Sequence, residues 1–173
     1  MVTITISGTP GSGKSTIARM LKDRLDLPYV YSGLIFRMIA EKHNMSLAEF
    51  GTYCEQHDDV DRELDDKQLE ILRNGNVILE GRLAGWIAHL NDIPSVKIMI
   101  DADILVRAQR VVMREGGDVE QRKDEIESRE ESERSRYKRY YNIDLKDASI
   151  YDLVVDSSEK TPDEVITDIL AIL

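Results

Sequence analysis

Val2-Thr3-Ile4-Thr5-Ile6-Ser7-Gly8-Thr9-Pro10-Gly11-Ser12-Gly13-Lys14-Ser15-Thr16 decides the fold. Residues 2–6 are β-branched throughout, which suits a strand buried on both faces of a parallel sheet. Gly8, Thr9, Pro10, Gly11, Ser12, Gly13, Lys14 and Ser15 then follow the Walker A pattern, two glycines around four residues and then Lys-Ser. Glycine tolerates positive φ and leaves room for phosphate oxygens against the backbone. Successive N–H groups form an inward-facing nest, and the helix that follows offers its positive end. Lys14 is placed to reach the β- and γ-phosphates. Ser15 is a Mg²⁺ ligand, and Thr16 extends the donor set. A chance glycine turn beside a surface lysine would not need a strand before it and a helix, from about Lys14 to Leu25, after it. The motif fixes nucleoside triphosphate binding, with ATP and Mg²⁺ expected, and leaves the acceptor open.

Outward from this loop, strands and helices alternate. Tyr29–Tyr31 reads as a second strand, Val77-Ile78-Leu79 as a third, Val96–Ile100 as a fourth and Leu153-Val154-Val155 as a fifth. Helices are expected at about 34–42, 58–73, 103–114 and 119–137. Ser46 with Glu49, and Thr161-Pro162 with Glu164, carry capping-box signatures. The pattern predicts a three-layer α/β P-loop fold, a parallel sheet flanked by helices, as a single domain. The core falls at about 1–31, 75–110 and 125–173. Residues 32–74 read as a helical insertion and 111–124 as a small lid, and Gly116-Gly117 is a flexible point there.

The chain has 173 residues, a net charge of −10 and 32% charged residues. That length suits one domain with its own core. The lone Cys54 excludes an internal disulfide and a thiolate metal cluster. Met1–Ile6 is too short for a signal peptide, and no apolar run approaches the ~20 residues of a membrane span. A cytoplasmic monomer without membrane or nucleic-acid partners is expected, since a polyanion is repelled on average. Arg107, Arg110, Arg114, Arg122, Arg129, Arg134, Arg136 and Arg139 nevertheless cluster in one third of the chain. Arginine suits bidentate binding of small anions, although Glu125, Glu127, Glu130, Glu131 and Glu133 are interleaved and also fit a solvated, paired helix. His43, His57 and His89 share no metal spacing. Cys54 and Trp86 read as core, and Tyr137, Tyr140 and Tyr141 as packing for the arginine-rich helix.

In open α/β sheets, ligands lie beyond the carboxyl ends of the strands. Ser32-Gly33, Glu80-Gly81-Arg82 and Asp101 fall there. Glu80 is placed to hold a Mg²⁺-bound water, and Arg37, one turn past Gly33, to grip an acceptor phosphate. A guanine-reading Asn-Lys-x-Asp segment is absent, which argues against a GTPase.

The Walker loop, Ser32-Gly33-x-x-Phe36-Arg37, Glu80-Gly81-Arg82 and the Arg129…Arg136 helix together resemble the cytidylate kinases, in their compact archaeal form, over essentially the whole chain. The resemblance implies transfer of the ATP γ-phosphoryl group to CMP or dCMP. It makes 32–74 a monophosphate-binding insertion. It implies Ser32, Gly33, Arg37, Arg82 and Arg129 on the acceptor, Arg107 and Arg110 on the donor, and Lys14, Arg110, Arg129 and Arg136 around the transferred group. Bacterial members carry Gly-Arg-Asp where this chain has Gly81-Arg82-Leu83, and that aspartate helps read the cytosine amino group. Asp61 aligns with the bacterial arginine that accompanies it. The reading pair is then rebuilt from the other side, with Asp61 on the amino group and Arg82 or Arg62 on the ring carbonyl. Alternatives are a kinase for AMP, UMP or shikimate, and a nucleotide-binding regulator without turnover.

Overall fold

The structure, a computed structural model, describes residues 2–173, apart from the side chains of residues 47, 48, 51, 52, 55, 58 and 61. Its elements are β1 (Ile4–Gly8), α1 (Lys14–Leu25), β2 (Tyr29–Tyr31), α2 (Ser32–Lys42), α3 (Leu47–Gln56), α4 (Asp58–Asn74), β3 (Ile78–Glu80), α5 (Ala84–Leu90), β4 (Val96–Asp101), α6 (Ile104–Glu115), α7 (Val119–Tyr141), β5 (Leu153–Asp156) and α8 (Pro162–Leu170). The sheet order is β2-β3-β1-β4-β5 and every pairing is parallel.

β1 is central and buried along its length, as its β-branched run requires. Ile4 and Ile6 pack with Ile17, Ala18 and Leu21 of α1 and Val165, Ile166 and Ile169 of α8. Ser7 points to the other face, where its Oγ accepts from the Gly85 amide at 3.1 Å. A second apolar cluster there joins Leu79, Leu83, Trp86 and Ile87 to Ile35, Ile39, Phe50, Val60 and Leu72 of the helices before β3. Both expected capping boxes form, at Ser46/Glu49 and at Thr161/Glu164.

The differences from the sequence reading have local causes. β1 begins at Ile4 rather than Val2, because pairing with β3 and β4 starts there. α2 begins at Ser32, directly after β2, so its first-turn amides stand at the carboxyl edge of the sheet. α5 was not expected. Ala84, Gly85, Trp86, Ile87 and Ala88 are all buried, so the helix carries no polar stripe to reveal its period. Gly85 fits there because it has no side chain: a Cβ would stand 2.6 Å from the Tyr151 ring and 3.3 Å from Ser7 Oγ of β1. α7 runs four residues past Tyr137, to Tyr141, before Asn142 ends it in a left-handed turn at φ 54°. Cys54 is half-buried, packed against the α2–α5 cluster.

Candidate active site

The Walker loop wraps the N-terminus of α1 at the carboxyl end of β1. Gly8, Gly11 and Gly13 take φ of 152°, 79° and 95°. At Gly8 the need for glycine is absolute, since a Cβ would lie 1.9 Å from the Ile100 carbonyl oxygen. Lys14 donates to the Thr9 carbonyl at 2.8 Å, which curls the lysine back over the loop. Its pKa is lowered to about 8, chiefly by burial and then by repulsion from Arg82, against some attraction from Glu80. An anion arriving here meets a cation with little water left to shield it. Thr9 Oγ1 donates to Asp101 at 2.5 Å and ties the loop to the end of β4.

Glu80 is buried at the end of β3. Ser15 donates to one of its oxygens at 2.9 Å and Tyr29 to the other. Burial and this bond push the Tyr29 hydroxyl well above the usual phenol range. The Ser15 proton is therefore directed at Glu80, which leaves the hydroxyl lone pairs for a cation beside Lys14. Two hard oxygen groups beside a phosphate nest suit Mg²⁺, which keeps several waters and takes its remaining ligands from phosphates. Among the described residues no cluster of three or more His, Cys, Asp or Glu makes a complete protein cage.

α6 and α7 supply the arginines. Arg107 is buried, and its guanidinium donates to the Ala102 and Pro10 carbonyls and to Glu130, at 2.9, 3.3 and 2.7 Å. These bonds brace the loop against α7. Arg110 donates to the Ser12 carbonyl at 3.2 Å and to Ser157 Oγ and O at 3.0 and 2.6 Å. It stays at the rim of the loop. Glu133 of α7 is 7% exposed and holds Arg82 at 2.5 Å and Arg129 at 3.0 Å. Arg82 also donates to the Gly8 carbonyl at 2.6 Å. Arg136, one turn further along, lies over the Tyr137 ring at 5.4 Å. Tyr137 is itself pushed up to about 12 by burial.

A cleft of about 390 Å³ joins these pieces, with Gly11, Lys14, Ser32, Gly33, Glu80, Gly81, Arg82 and Arg129 on its walls. Arg114 and Arg122 also face it, a contribution the arginine clustering signalled without assigning. A second hollow of about 340 Å³ lies outside the loop, bounded by Gly13, Ser15, Thr16, Arg110, Ser157 and Lys160. The two share Gly11, Lys14 and Arg114. A larger hollow of about 560 Å³ runs behind Gly8 and Thr9. It carries Asp101, Glu127, Glu130, Glu131 and Asp147 against Arg82, Arg107, Arg134 and Lys146, so it is a poor seat for phosphate.

On the acceptor side, Ser32 and Gly33 line the cleft, whereas Arg37 is exposed on α2 outside its lining. The Asp61 side chain lies outside the described residues, and Arg62 borders a separate hollow with Asp65 and Leu83. Sequence reasoning missed Gln68. It is 3% exposed, donates its amide to Asp65 at 3.1 Å, and leaves its carbonyl oxygen without a hydrogen bond. Tyr141 donates to the other Asp65 oxygen. Glu133 and Tyr29 were also missed, because nothing in local spacing links them to Arg82 or Glu80.

The model of the cytidylate kinase-like family matches residues 3–159. The chain belongs to that family. A curated cytidylate kinase of Pyrococcus horikoshii is 45% identical over 97% of this chain and 86% of its own length. One of Methanocaldococcus jannaschii is 48% identical over 90% of this chain and 88% of its own. Among solved structures, the shikimate kinase of Bacteroides thetaiotaomicron superposes with a TM-score of 0.66 at 14% identity, over 99% of this chain and 97% of that one. At that identity it shows the P-loop kinase fold alone.

Proposed function

We propose that the protein is an ATP-dependent kinase that phosphorylates CMP and dCMP. One observation carries the reading: Lys14 stands where two hollows meet, one outside the Walker loop and one running to Ser32 and Arg82. A donor triphosphate laid through the loop from the outer hollow and an acceptor phosphate in the inner cleft face each other across Lys14. The archaeal relatives, named cytidylate kinases, identify the acceptor.

Gly8 to Thr16 hold the triphosphate, with the base and ribose in the outer hollow beside Arg110. Ser15 and, through a water, Glu80 hold the Mg²⁺, which supplies charge compensation on the phosphates when bound. Ser32, Gly33, Arg82 and Arg129 hold the acceptor, and Arg37, exposed one turn past Gly33 on α2, swings in to grip its phosphate. Its phosphate oxygens are already ionised near neutral pH, so no general base is needed. Lys14, Arg129 and Arg136 surround the moving group, and positioning plus charge stabilisation carries the rate. Residues 32–74 act as the monophosphate-binding insertion. The α6–α7 corner at 111–124 acts as a lid that brings Arg114 and Arg122 onto the phosphates and keeps water out.

The test is ADP release from ATP and Mg²⁺ with CMP, dCMP, UMP, AMP and shikimate offered one at a time. Selective turnover with CMP or dCMP is expected. Selective turnover with another acceptor, or silence with all of them, overturns the reading.

A further inference from the structure

Leu83 removes the bacterial base-reading aspartate, and Arg82 is engaged by Glu133 and the Gly8 carbonyl. The side chain of Asp61, the amino-group reader expected from the sequence, lies outside the described residues, and the same helix α4 carries a second polar group beside the cleft. Among the described residues, the buried side-chain acceptor left without a hydrogen bond between α4, β3 and α2 is the Gln68 oxygen. It lies against Gly81, so closely that a Cβ there would stand 2.9 Å from it and 3.3 Å from Ser32 Oγ. Gly81 and Ser32 are both walls of the acceptor cleft.

The orientation of this carboxamide is fixed by chemistry. Asp65 accepts from Tyr141 on one oxygen and from Gln68 on the other. A carboxylate only accepts, so the Gln68 NH₂ must face Asp65 and the carbonyl oxygen must face the cleft wall. A buried amide oxygen without a partner costs on the order of 1–3 kcal/mol, and such groups call for an explanation.

We propose that Gln68, held in one orientation by Asp65, reads the acceptor base by accepting a hydrogen bond from the 4-amino group of cytosine. Ser32, half-buried in the first turn of α2, and the Gln68 oxygen both lie beside Gly81, which places the oxygen just behind the cleft wall. Uracil presents a carbonyl at the same position, and two oxygens facing one another without a proton repel. Discrimination then comes from a polar group that only the right substrate satisfies, the strongest kind available to a small pocket. The inference rests on the CMP kinase reading and names the residue that gives it specificity.

The experiment compares kcat/KM for CMP with that for UMP in the wild type, Gln68→Met and Asp65→Asn. Gln68→Met keeps the volume and removes the acceptor. The CMP:UMP ratio should fall about tenfold or more, mostly through the loss on CMP. Asp65→Asn keeps the shape but lets residue 65 donate its own NH₂ to Gln68. Gln68 can then turn its NH₂ to the uracil carbonyl, so UMP turnover should rise while CMP turnover falls. Thermal melts confirm that each variant is folded. A purely structural Gln68 lowers both nucleotides together and leaves the ratio unchanged, which overturns the proposal while the CMP kinase reading stands. A wild type silent with both nucleotides overturns that reading itself.

Discussion

Residues Gly8 to Ser15 make the phosphate cradle from one continuous segment, whereas the inner cleft draws Ser32 from α2, Gly81 from just past β3 and Arg129 from α7, backed by Gln68 of α4 beside Gly81 and by Glu133 of α7 on Arg82 and Arg129. The cradle works mainly through backbone: amides and three glycines whose φ angles only glycine adopts easily. The acceptor wall works through side chains that hold one another across long sequence distances. A backbone device is insensitive to the rest of the molecule and sensitive to its own glycines. A side-chain device is the reverse.

The largest effects should come from the cradle. Gly8→Ala drives a methyl into the Ile100 carbonyl and should cost roughly 3 kcal/mol or more, read by chemical denaturation. Lys14→Met separates function from stability. It removes the cation at the junction of the two hollows and should lower kcat by about 10³-fold or more. It also removes a buried charge that the apo protein holds at a cost, so the ligand-free melting temperature should rise.

The next effect tests the side-chain device. Glu133 is 9% exposed at its side chain and pairs with Arg82 at 14% and with Arg129 at 64%. Breaking the inner pair leaves Arg82 uncompensated, so Glu133→Leu should destabilise by about 3 kcal/mol or more in urea unfolding. Arg129→Ala breaks only an exposed pair and should cost under about 1 kcal/mol, while turnover falls sharply. Equal stability losses in the two variants would undo the distinction between a braced and a mobile arginine. Gly81→Ala should fall between them, at about 1–3 kcal/mol, because its new Cβ meets the Gln68 oxygen at 2.9 Å and Ser32 Cβ at 3.2 Å. Its kinetic signature should be a raised KM for the acceptor with little change for ATP.

The same contrast explains what could be read from the sequence. Lys14–Leu25 and Tyr29–Tyr31 were legible to the residue, because a motif with a helix behind it and a short aromatic and β-branched segment before Ser32-Gly33 each announce themselves locally. The parallel sheet followed from their alternation. α5 was invisible because a helix buried on all sides has no amphipathic period. Ser15 was legible from the Walker pattern at the start of α1 and Glu80 from the end of β3, yet Tyr29, which holds the second Glu80 oxygen, was not. The resemblance placed Arg107 on the donor nucleotide, whereas its bonds to Ala102, Pro10 and Glu130, which brace the loop, join segments too far apart in the chain for local spacing to announce. Gln68 carries no sequence signal, since a glutamine on a polar helix face becomes a base reader only through what α4 is packed against.

The smallest effect is a titration that belongs to the cradle alone. Lys14 sits near pH 8 without ligand, against 10.5 in the unfolded chain. Below pH 8 both states bind the proton and the folded state bears the full cost of the buried ammonium. Between 8 and 10.5 the unfolded chain binds more protons, so ligand-free stability should rise through that window. A triphosphate reverses the balance, because its charge favours the ammonium and lifts the pKa again. At pH 8 ATP binding should therefore take up about half a proton, falling towards zero near pH 6.5. Calorimetry at pH 8 in two buffers of different ionisation enthalpy measures that uptake directly. Lys14→Met should abolish it and Gln68→Met should leave it untouched. Uptake that survives loss of Lys14 would place the titrating group outside the cradle.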